Sequence, residues 1–356
     1  MSNLLYVALG TLWMLCYVIY KKHKKICKSL PPGPPSLPWI GSIPFLDRKR
    51  GMADAVVNES HYHYDPYLCT VWIGVRSIIL IQDFSLAKEL FSLDEISGRV
   101  AGYHDMFIRG IDGECLGIVT TMDKFWQEQR RFTLKNLKDL GFGKNKLDIV
   151  IQDEANILID QLISNSKTGD ILIDTLFNFP IINILWQIVA SKKYDPELPE
   201  SKNMMKKVGL VFLKGPSLVN FFIESRFLRS FMPLEQEKAE LELKELFRQQ
   251  ILEHEKELEI DESRESNDFI DMYLKEIKQK SYEKNYQSDG TYKNFNIEQL
   301  VVICLDLFQA GSETSSTTLS WAVMYLALYP EVEAKCHEEI ELVLGGKERT
   351  KWDRYP

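Results

Sequence analysis

Read from the start, the alternation of apolar and polar positions first fails to appear. Leu4 to Tyr20 is apolar or aromatic almost throughout and uncharged, and Lys21, Lys22, His23, Lys24, Lys25 and Lys28 follow at once. As a helix this stretch spans about 26 Å, close to the roughly 30 Å hydrocarbon core of a bilayer. A cleavable signal carries its charges before the apolar run. With the lysines after it, the pattern predicts an uncleaved N-terminal transmembrane helix whose positive flank keeps the body in the cytosol. Leu30-Pro31-Pro32-Gly33-Pro34-Pro35-Ser36-Leu37-Pro38 then predicts a semi-rigid extended spacer, since proline fixes φ and removes donors.

Beyond residue 39 the pattern is mostly helical. Tyr67–Ile73 and Ile78–Gln82 are β-rich runs on either side of Gly74-Val75-Arg76-Ser77 and predict a hairpin. Asp83 is placed to cap a short helix through about Leu93. Ser97 to Thr121 is glycine-rich and aperiodic and is expected to be loop. Helical patterns follow at 123–140, 146–164, 174–191, 203–213, 234–260 and 268–280, with a polar surface connection from Ser281 to Lys293. The longest pattern runs from Ile297 to Tyr329, capped by Asn296 with Gln299 at the reciprocal position, and would be about 50 Å long. Pro330 breaks it, and Glu331 to Leu344 predicts one more helix ended by Gly345-Gly346. The fold class is therefore mainly α (α+β) with a small β-hairpin. It is organised as anchor and basic flank at 1–29, hinge at 30–38 and body at 39–356.

Composition narrows the functional classes. The 356 residues are 45% hydrophobic, which excludes disorder and collagen. With 43 Lys+Arg against 51 Asp+Glu, the net charge of −8 argues against nucleic acid as a partner, because phosphate contacts need a basic surface. The six cysteines are scattered without a CxxC pair, which suits reduced thiols and offers no metal site.

Candidate chemistry lies in two helices. Ala310-Gly311-Ser312-Glu313-Thr314-Ser315 interrupts an apolar run of the long helix. An interior glycine costs about 1 kcal/mol relative to alanine, so a small residue is needed there for a reason. Small side chains at Ala310 and Gly311 would admit a flat object, and the Thr314 hydroxyl can bond the Ala310 carbonyl. Glu313 and Thr314 are then placed to relay protons. A close helix crossing would equally call for a Gly-Ser-Thr cluster. On the 123–140 helix, Lys124, Arg131, Lys135 and Lys138 share one stripe, with Trp126, Arg130, Thr133 and Leu137 opposite. The basic stripe reads as a solvated face or as a dock for an acidic partner. Arg130, on the inner face beside Trp126, calls for a buried anion, either a protein carboxylate or a ligand's propionate or phosphate.

Taken together, the anchor, the Leu-Pro-Pro-Gly-Pro hinge, Trp126-Gln127-Glu128-Gln129-Arg130-Arg131-Phe132 and Ala310–Ser315 resemble the microsomal haem-thiolate monooxygenases, the cytochromes P-450. Phe125 to Lys144 is most similar to the animal clan that includes the steroid- and drug-metabolising enzymes. The resemblance implies that Trp126 and Arg130 hold haem propionates. It also implies that the Ala310, Gly311 and Thr314 groove faces the oxygen-binding side of the iron, and that Glu313 and Thr314 deliver protons. It further implies oxygen insertion into a lipophilic substrate, with NADPH-derived electrons arriving through a flavoprotein reductase. That reductase would dock on Lys124, Arg131, Lys135 and Lys138, and the protein would sit at the endoplasmic reticulum membrane facing the cytosol.

The family's iron-ligating cysteine loop and its Glu-x-x-Arg helix stand further toward the carboxyl end than Tyr355-Pro356, so the resemblance is to a fold incomplete at that end. Glu128/Arg131 and Glu245/Arg248 have the Glu-x-x-Arg spacing but precede the long helix, and they read as local i,i+3 pairs. Cys115 in Phe107-x-x-Gly110 to Gly117 lacks the loop's internal arginine, and Cys304 is expected in the core. His61, His63 and His104 are expected at the surface. Leu210 to Phe231, rich in phenylalanine, is a candidate lipid contact. Two other readings stand beside the enzyme: a membrane-anchored binding or decoy protein without thiolate ligation, and an unrelated anchored helical scaffold. An apolar surface left bare would make the isolated chain poorly stable.

Overall fold

The computed structural model describes residues 2–46, 65, 67–96, 98–99, 101, 103–111, 113–141, 145–167, 169, 171–173, 176–196, 198–213, 235–261, 263–282 and 294–344. Its described residues fall into two compact units, one up to Gly98 and one from Arg99 onward. The expectations for His61, His63, the 281–293 connection beyond Tyr282, Gly345-Gly346 and most of 210–231 lie outside the described residues, as does the side chain of His104.

The first unit begins with α1 (Ser2–Cys27), which continues through the lysine cluster. Among the described residues, no helix is long and apolar enough to cross a membrane. The side chains of 2–5, 7–9, 11 and 12 in the expected span lie outside the description. The spanning helix expected from the sequence is therefore not a structural finding. Strands β1 (Leu68–Ile73) and β2 (Arg76–Ile81) pair antiparallel, with Ile73 opposite Arg76 across Gly74-Val75. Gly74 at φ 62° permits this two-residue turn, tighter than the four-residue one expected. The proline segment does more than space. Pro32 accepts from the Thr70 amide at 3.0 Å, and a Cβ on Gly33 would stand 1.8 Å from the Thr70 carbonyl oxygen, so only glycine fits against β1. Asp83 caps α2 (Phe84–Leu90) as expected, accepting from the Leu86 amide at 2.7 Å.

In the second unit the expected loop is partly regular. It contains α3 (Tyr103–Arg109) and a minimal hairpin of β3 (Gly110–Ile111) and β4 (Glu114–Cys115). A seven-residue helix is too short to show periodicity; this one is fixed by tertiary bonds instead. Lys244 donates to the Ile108 carbonyl at 3.1 Å, and Ile108 and Arg109 are buried.

The remaining helices match the apolar pattern closely. They are α4 (Asp123–Asp139), α5 (Asn145–Ser166), α6 (Asn178–Ala190), α7 (Pro199–Leu213), α8 (Glu235–Ile260), α9 (Phe269–Tyr282), α10 (Ile297–Leu328) and α11 (Pro330–Leu344). Leu300 to Asp306 of α10 is buried on every side, with α6, α8 and α9 packed against the helix. Trp186, Phe247 and Phe308 join α6, α8 and α10, with ring centroids 5.1 to 6.0 Å apart. Phe132, Tyr273 and Phe295 form a second aromatic cluster, at 5.2 to 5.3 Å, between α4, α9 and the entry to α10. Beyond Ser316 the burial ends, and Trp321, Tyr325 and Leu328 stand exposed. That bare aromatic face agrees with the apolar surface anticipated from the sequence.

Candidate functional site

The site is organised by one short segment, Gly117–Val119, fastened to the buried half of α10. Asp306 accepts from the Ile118 and Val119 amides at 2.7 and 3.0 Å. Gln299 brackets Gly117 from both sides, accepting from its amide at 2.9 Å and donating to its carbonyl at 3.2 Å. Gln299 therefore does not close a reciprocal capping box; the Asn296 side chain alone caps α10, at 2.8 Å to the Gln299 amide. A side chain on Gly117, at φ 90°, would place its Cβ 2.3 Å from Asp306 Oδ2, so this approach requires glycine.

The same segment holds α4. The Trp126 indole N–H donates to the Ile118 carbonyl at 3.1 Å, so a single peptide links the tryptophan of α4 to Asp306 of α10. Thr133 and Leu137 are buried and Trp126 half-buried, as the inner stripe predicts, while Lys124, Arg131, Lys135 and Lys138 are all exposed. Arg130 departs from expectation: it is exposed, not buried on the inner face. Its guanidinium lies over the Trp126 ring, 5.4 Å from the centroid, and has no ion-pair partner among the described residues. Glu128 does not pair with Arg131 as expected; it accepts from Asn294 at 2.8 Å. Gln129, which the sequence reading passed over, donates to the Asn294 carbonyl and accepts from the Tyr273 hydroxyl at 2.7 Å. The Glu245–Arg248 pair is present at 3.4 Å, but Arg248 also bonds Glu298 of α10.

On α10, Thr314 donates to the Ala310 carbonyl at 2.7 Å, the bond the spacing anticipated. Ala310 and Thr314 are exposed and share one face, and Glu313 is half-buried and accepts from Thr317 at 3.2 Å. Gly311 faces elsewhere. A Cβ there would meet Leu185 Cδ1 of α6 at 2.7 Å, so its small size serves the α6–α10 crossing. Of the predicted residues, Trp126 is brought together with Arg130, and Ala310 with Thr314.

Asp306 of α10 also belongs to a buried ion network that the sequence reading missed. Arg109 donates to Asp306 at 3.1 Å and Gln309 at 2.6 Å, with Glu240 and Asp105 at 3.7 and 3.8 Å. Burial pushes the Asp306 carboxyl up, opposed by Arg109 and the two amides; since every partner is a donor, the site is built for the carboxylate. Burial would depress Arg109, but the surrounding carboxylates hold its guanidinium above the ordinary range. An acid at 306 inside an apolar run was the one available signal, and nothing local named its partner.

A haem can be tested against these residues. The guanidinium over Trp126, without an ion pair among the described residues, suits an acidic substituent, and Ala310 and Thr314 put small side chains on an exposed face of α10. Burial drives the Cys304 thiol strongly up, and Cys115, also raised by burial, contacts Thr120 at 3.2 Å. Cys69 is buried in the hairpin, and Cys16, Cys27 and Cys336 lie on α1 and α11.

The helices of the second unit pack around one buried central helix, and the described elements make a mainly α fold with small sheets. A family model described as Cytochrome P450 matches residues 31–356, and the chain belongs to that family. It is 32% identical over 327 residues to cytochrome P450 2C25 of Mesocricetus auratus, covering 89% of this chain and 62% of that protein. With cytochrome P450 2A4 of Mus musculus it shares 31% over 359 residues, 98% of this chain and 68% of the relative. With a farnesoate epoxidase of Bombyx mori it shares 27% over 340 residues, 92% of this chain and 64% of the relative. The chain thus spans a little under two thirds of the length of the 2C25 protein and of the epoxidase, 62% and 64%.

Proposed function

We propose that a protein of full family length built on this chain is a haem-dependent monooxygenase that inserts one atom of dioxygen into a lipophilic substrate. The observation that carries the reading is the unpaired Arg130 guanidinium, stacked on Trp126 and tied through Ile118 to the helix bearing Ala310 and Thr314. When bound, the haem supplies the oxidising chemistry. Arg130 would hold its propionates, with Trp126 fixing the guanidinium plane. Ala310 leaves clearance on the open face of α10, and Gly311 sets the height of that face through α6. The Thr314 hydroxyl, already donating to Ala310, keeps lone pairs free to accept a proton, and Glu313 one position earlier can exchange it with solvent. One relative is named a farnesoate epoxidase, which fits a lipophilic substrate but assigns none.

The partners follow from two surfaces. Lys124, Arg131 and Lys135 line a cavity of about 310 Å³ together with Phe132, Phe295 and the acids Glu128 and Glu276, and Lys138 extends the basic stripe. This supports docking of an acidic flavoprotein reductase that passes on NADPH-derived electrons. Charge reversal at Lys135 and Lys138 should weaken reductase binding, and unchanged affinity would exclude the dock. The apolar stretch at 4–20 supports anchorage at the endoplasmic reticulum, with hinge 30–38 and body 39–356 on the cytosolic side. Recovery of the chain in the soluble fraction would contradict it.

Haem titration tests the main reading. In the protein of full family length, Arg130→Leu should weaken haem uptake about tenfold or more, a charge-assisted bond being worth about 1.5–3 kcal/mol. Equal uptake by that variant, or no specific Soret shift in either full-length protein, would overturn it.

A further inference from the structure

Away from the α4–α10 site, three buried side chains between α8 and α9 take no part in the proposed reaction. His254, Asp268 and Asp271 are 4%, 0% and 0% exposed. One nitrogen or oxygen from each lies within 4.8 Å of the others. Burying two carboxylates together is costly unless their charge is matched. Besides the His254 ring, which can pair with Asp268 when protonated, the nearby cation is Arg264; it bonds both Asp271 and Glu257, so its charge is already shared with an acid outside the cluster.

The hydrogen bonds sort the atoms of this cluster into two sets. His254 Nδ1 faces the Gln250 carbonyl at 2.8 Å; a carbonyl only accepts, so Nδ1 carries a proton and Nε2 is the ring's other valence. Asp268 Oδ1 accepts from the Asp271 amide at 2.9 Å, leaving Oδ2, which stands 3.0 Å from His254 Nε2. Asp271 Oδ2 accepts from Arg264 and the Asn267 amide at 3.1 and 3.2 Å. Asp271 Oδ1 is buried with no hydrogen-bond partner among the described residues. Each residue therefore has one polar atom fixed by an outer partner and one turned to the cluster or left over. This is the pattern in which metal ligands are held, with the second ring nitrogen of histidine on a backbone carbonyl.

We propose that His254 Nε2, Asp268 Oδ2 and Asp271 Oδ1 form a site for a divalent cation of the zinc class, stapling α8 to α9. Imidazole with carboxylate oxygens is a common zinc donor set, and three protein ligands leave a fourth position for water. Two ligands on one tetrahedral ion at bond lengths of about 2.0–2.1 Å stand roughly 3.3 Å apart, near the separation found between Nε2 and Oδ2. A doubly positive ion balances the two carboxylates and gives the orphaned Asp271 oxygen a partner. The staple would fix α8, whose Glu240 and Lys244 reach the Arg109 network, but it does not depend on haem or on the oxygenase reading.

The test is metal analysis of the purified 356-residue chain after incubation with zinc and gel filtration, with cobalt(II) absorption reporting the ligand geometry. One zinc per chain is expected, with the melting temperature raised by zinc. Asp271→Asn, which keeps the shape and the Arg264-facing oxygen, should lose affinity at least tenfold, as should His254→Gln. Wild-type chain that binds no zinc above background overturns the proposal whatever the variants do, leaving a His254–Asp268 ion pair. Zinc held equally by the His254→Gln/Asp271→Asn double variant, with helical circular dichroism intact, overturns it too and places the metal at surface groups.

Discussion

Replacing Asp306 with asparagine separates the charge of the buried network from its shape. The carboxylate is 1% exposed and accepts from Arg109 Nε, the Ile118 amide and the Val119 amide. Asparagine fills the same volume but keeps one accepting oxygen, and its amide group must face donors. Breaking a buried ion pair by neutralising one partner costs about 3–5 kcal/mol. Two features reduce that here. Glu240 and Asp105 stay within 3.7 and 3.8 Å of Arg109, and Gln309 still accepts from it. The neutral side chain also sheds the desolvation that pushes the Asp306 carboxyl up. The expected loss is about 2–3 kcal/mol, a large share of a typical 5–15 kcal/mol.

Urea unfolding followed by tryptophan fluorescence should show the midpoint falling by about 1 M, taking a slope of about 3 kcal/mol/M. Hydrogen exchange adds a local readout, since the Ile118 and Val119 amides lose their acceptor and should exchange faster before global unfolding. Arg109→Met instead removes the cation that Asp306, Glu240 and Asp105 share, and should cost at least as much as Asp306→Asn. A midpoint shift under about 0.2 M in Asp306→Asn, with Ile118 and Val119 exchange unchanged, would refute the network's role.

Two further outcomes follow from the same geometry. Arg248 bonds Glu298 and holds its carboxyl below the ordinary range, so the pair's contribution is present at neutral pH and is lost as pH falls from the ordinary carboxylate value through the lowered one. Glu298→Gln should therefore flatten the acid-side decline of the melting temperature, and an unchanged slope would show that the pair adds nothing. At Gly311, alanine meets only the movable end of Leu185 and gains about 1 kcal/mol of helix propensity, so its stability should lie within about 1 kcal/mol of wild type. Leucine there should cost about 2–3 kcal/mol by overpacking, and equal melting of the two variants would contradict the crossing.

What the sequence makes legible here is local. Asp83 and Asn296 cap their helices because the deciding bond spans three residues. The long helices follow from periods repeated over three turns or more. What it hides is set by distant partners: Arg109 and Asp306 are 197 positions apart, and Gln299 and Gly117 are 182 apart. Glu128 and Gln299 were given neighbours at helical spacing, yet both are taken by groups far along the chain, Asn294 and Gly117. Helix α3 is hidden for the same reason, since its end is fixed by Lys244 and not by its own seven residues.

The two glycines nearest the site show why spacing alone misassigns such positions. Gly117 and Gly311 both admit a neighbour too close for a side chain, but the neighbours are Asp306 and Leu185 of this same chain. Ala310 and Thr314, four apart and both exposed, define the face on which a flat ligand would lie, while Gly311 is turned by about 100° toward α6. A bulky residue at 310 would therefore fill the ligand's own space, whereas one at 311 would lift α10 from α6 and displace the face as a whole. The first should abolish haem uptake and leave folding intact; the second should weaken both together. The proposed ligand face thus rests on Ala310, Thr314 and Arg130, and Gly311 belongs to the packing that positions them.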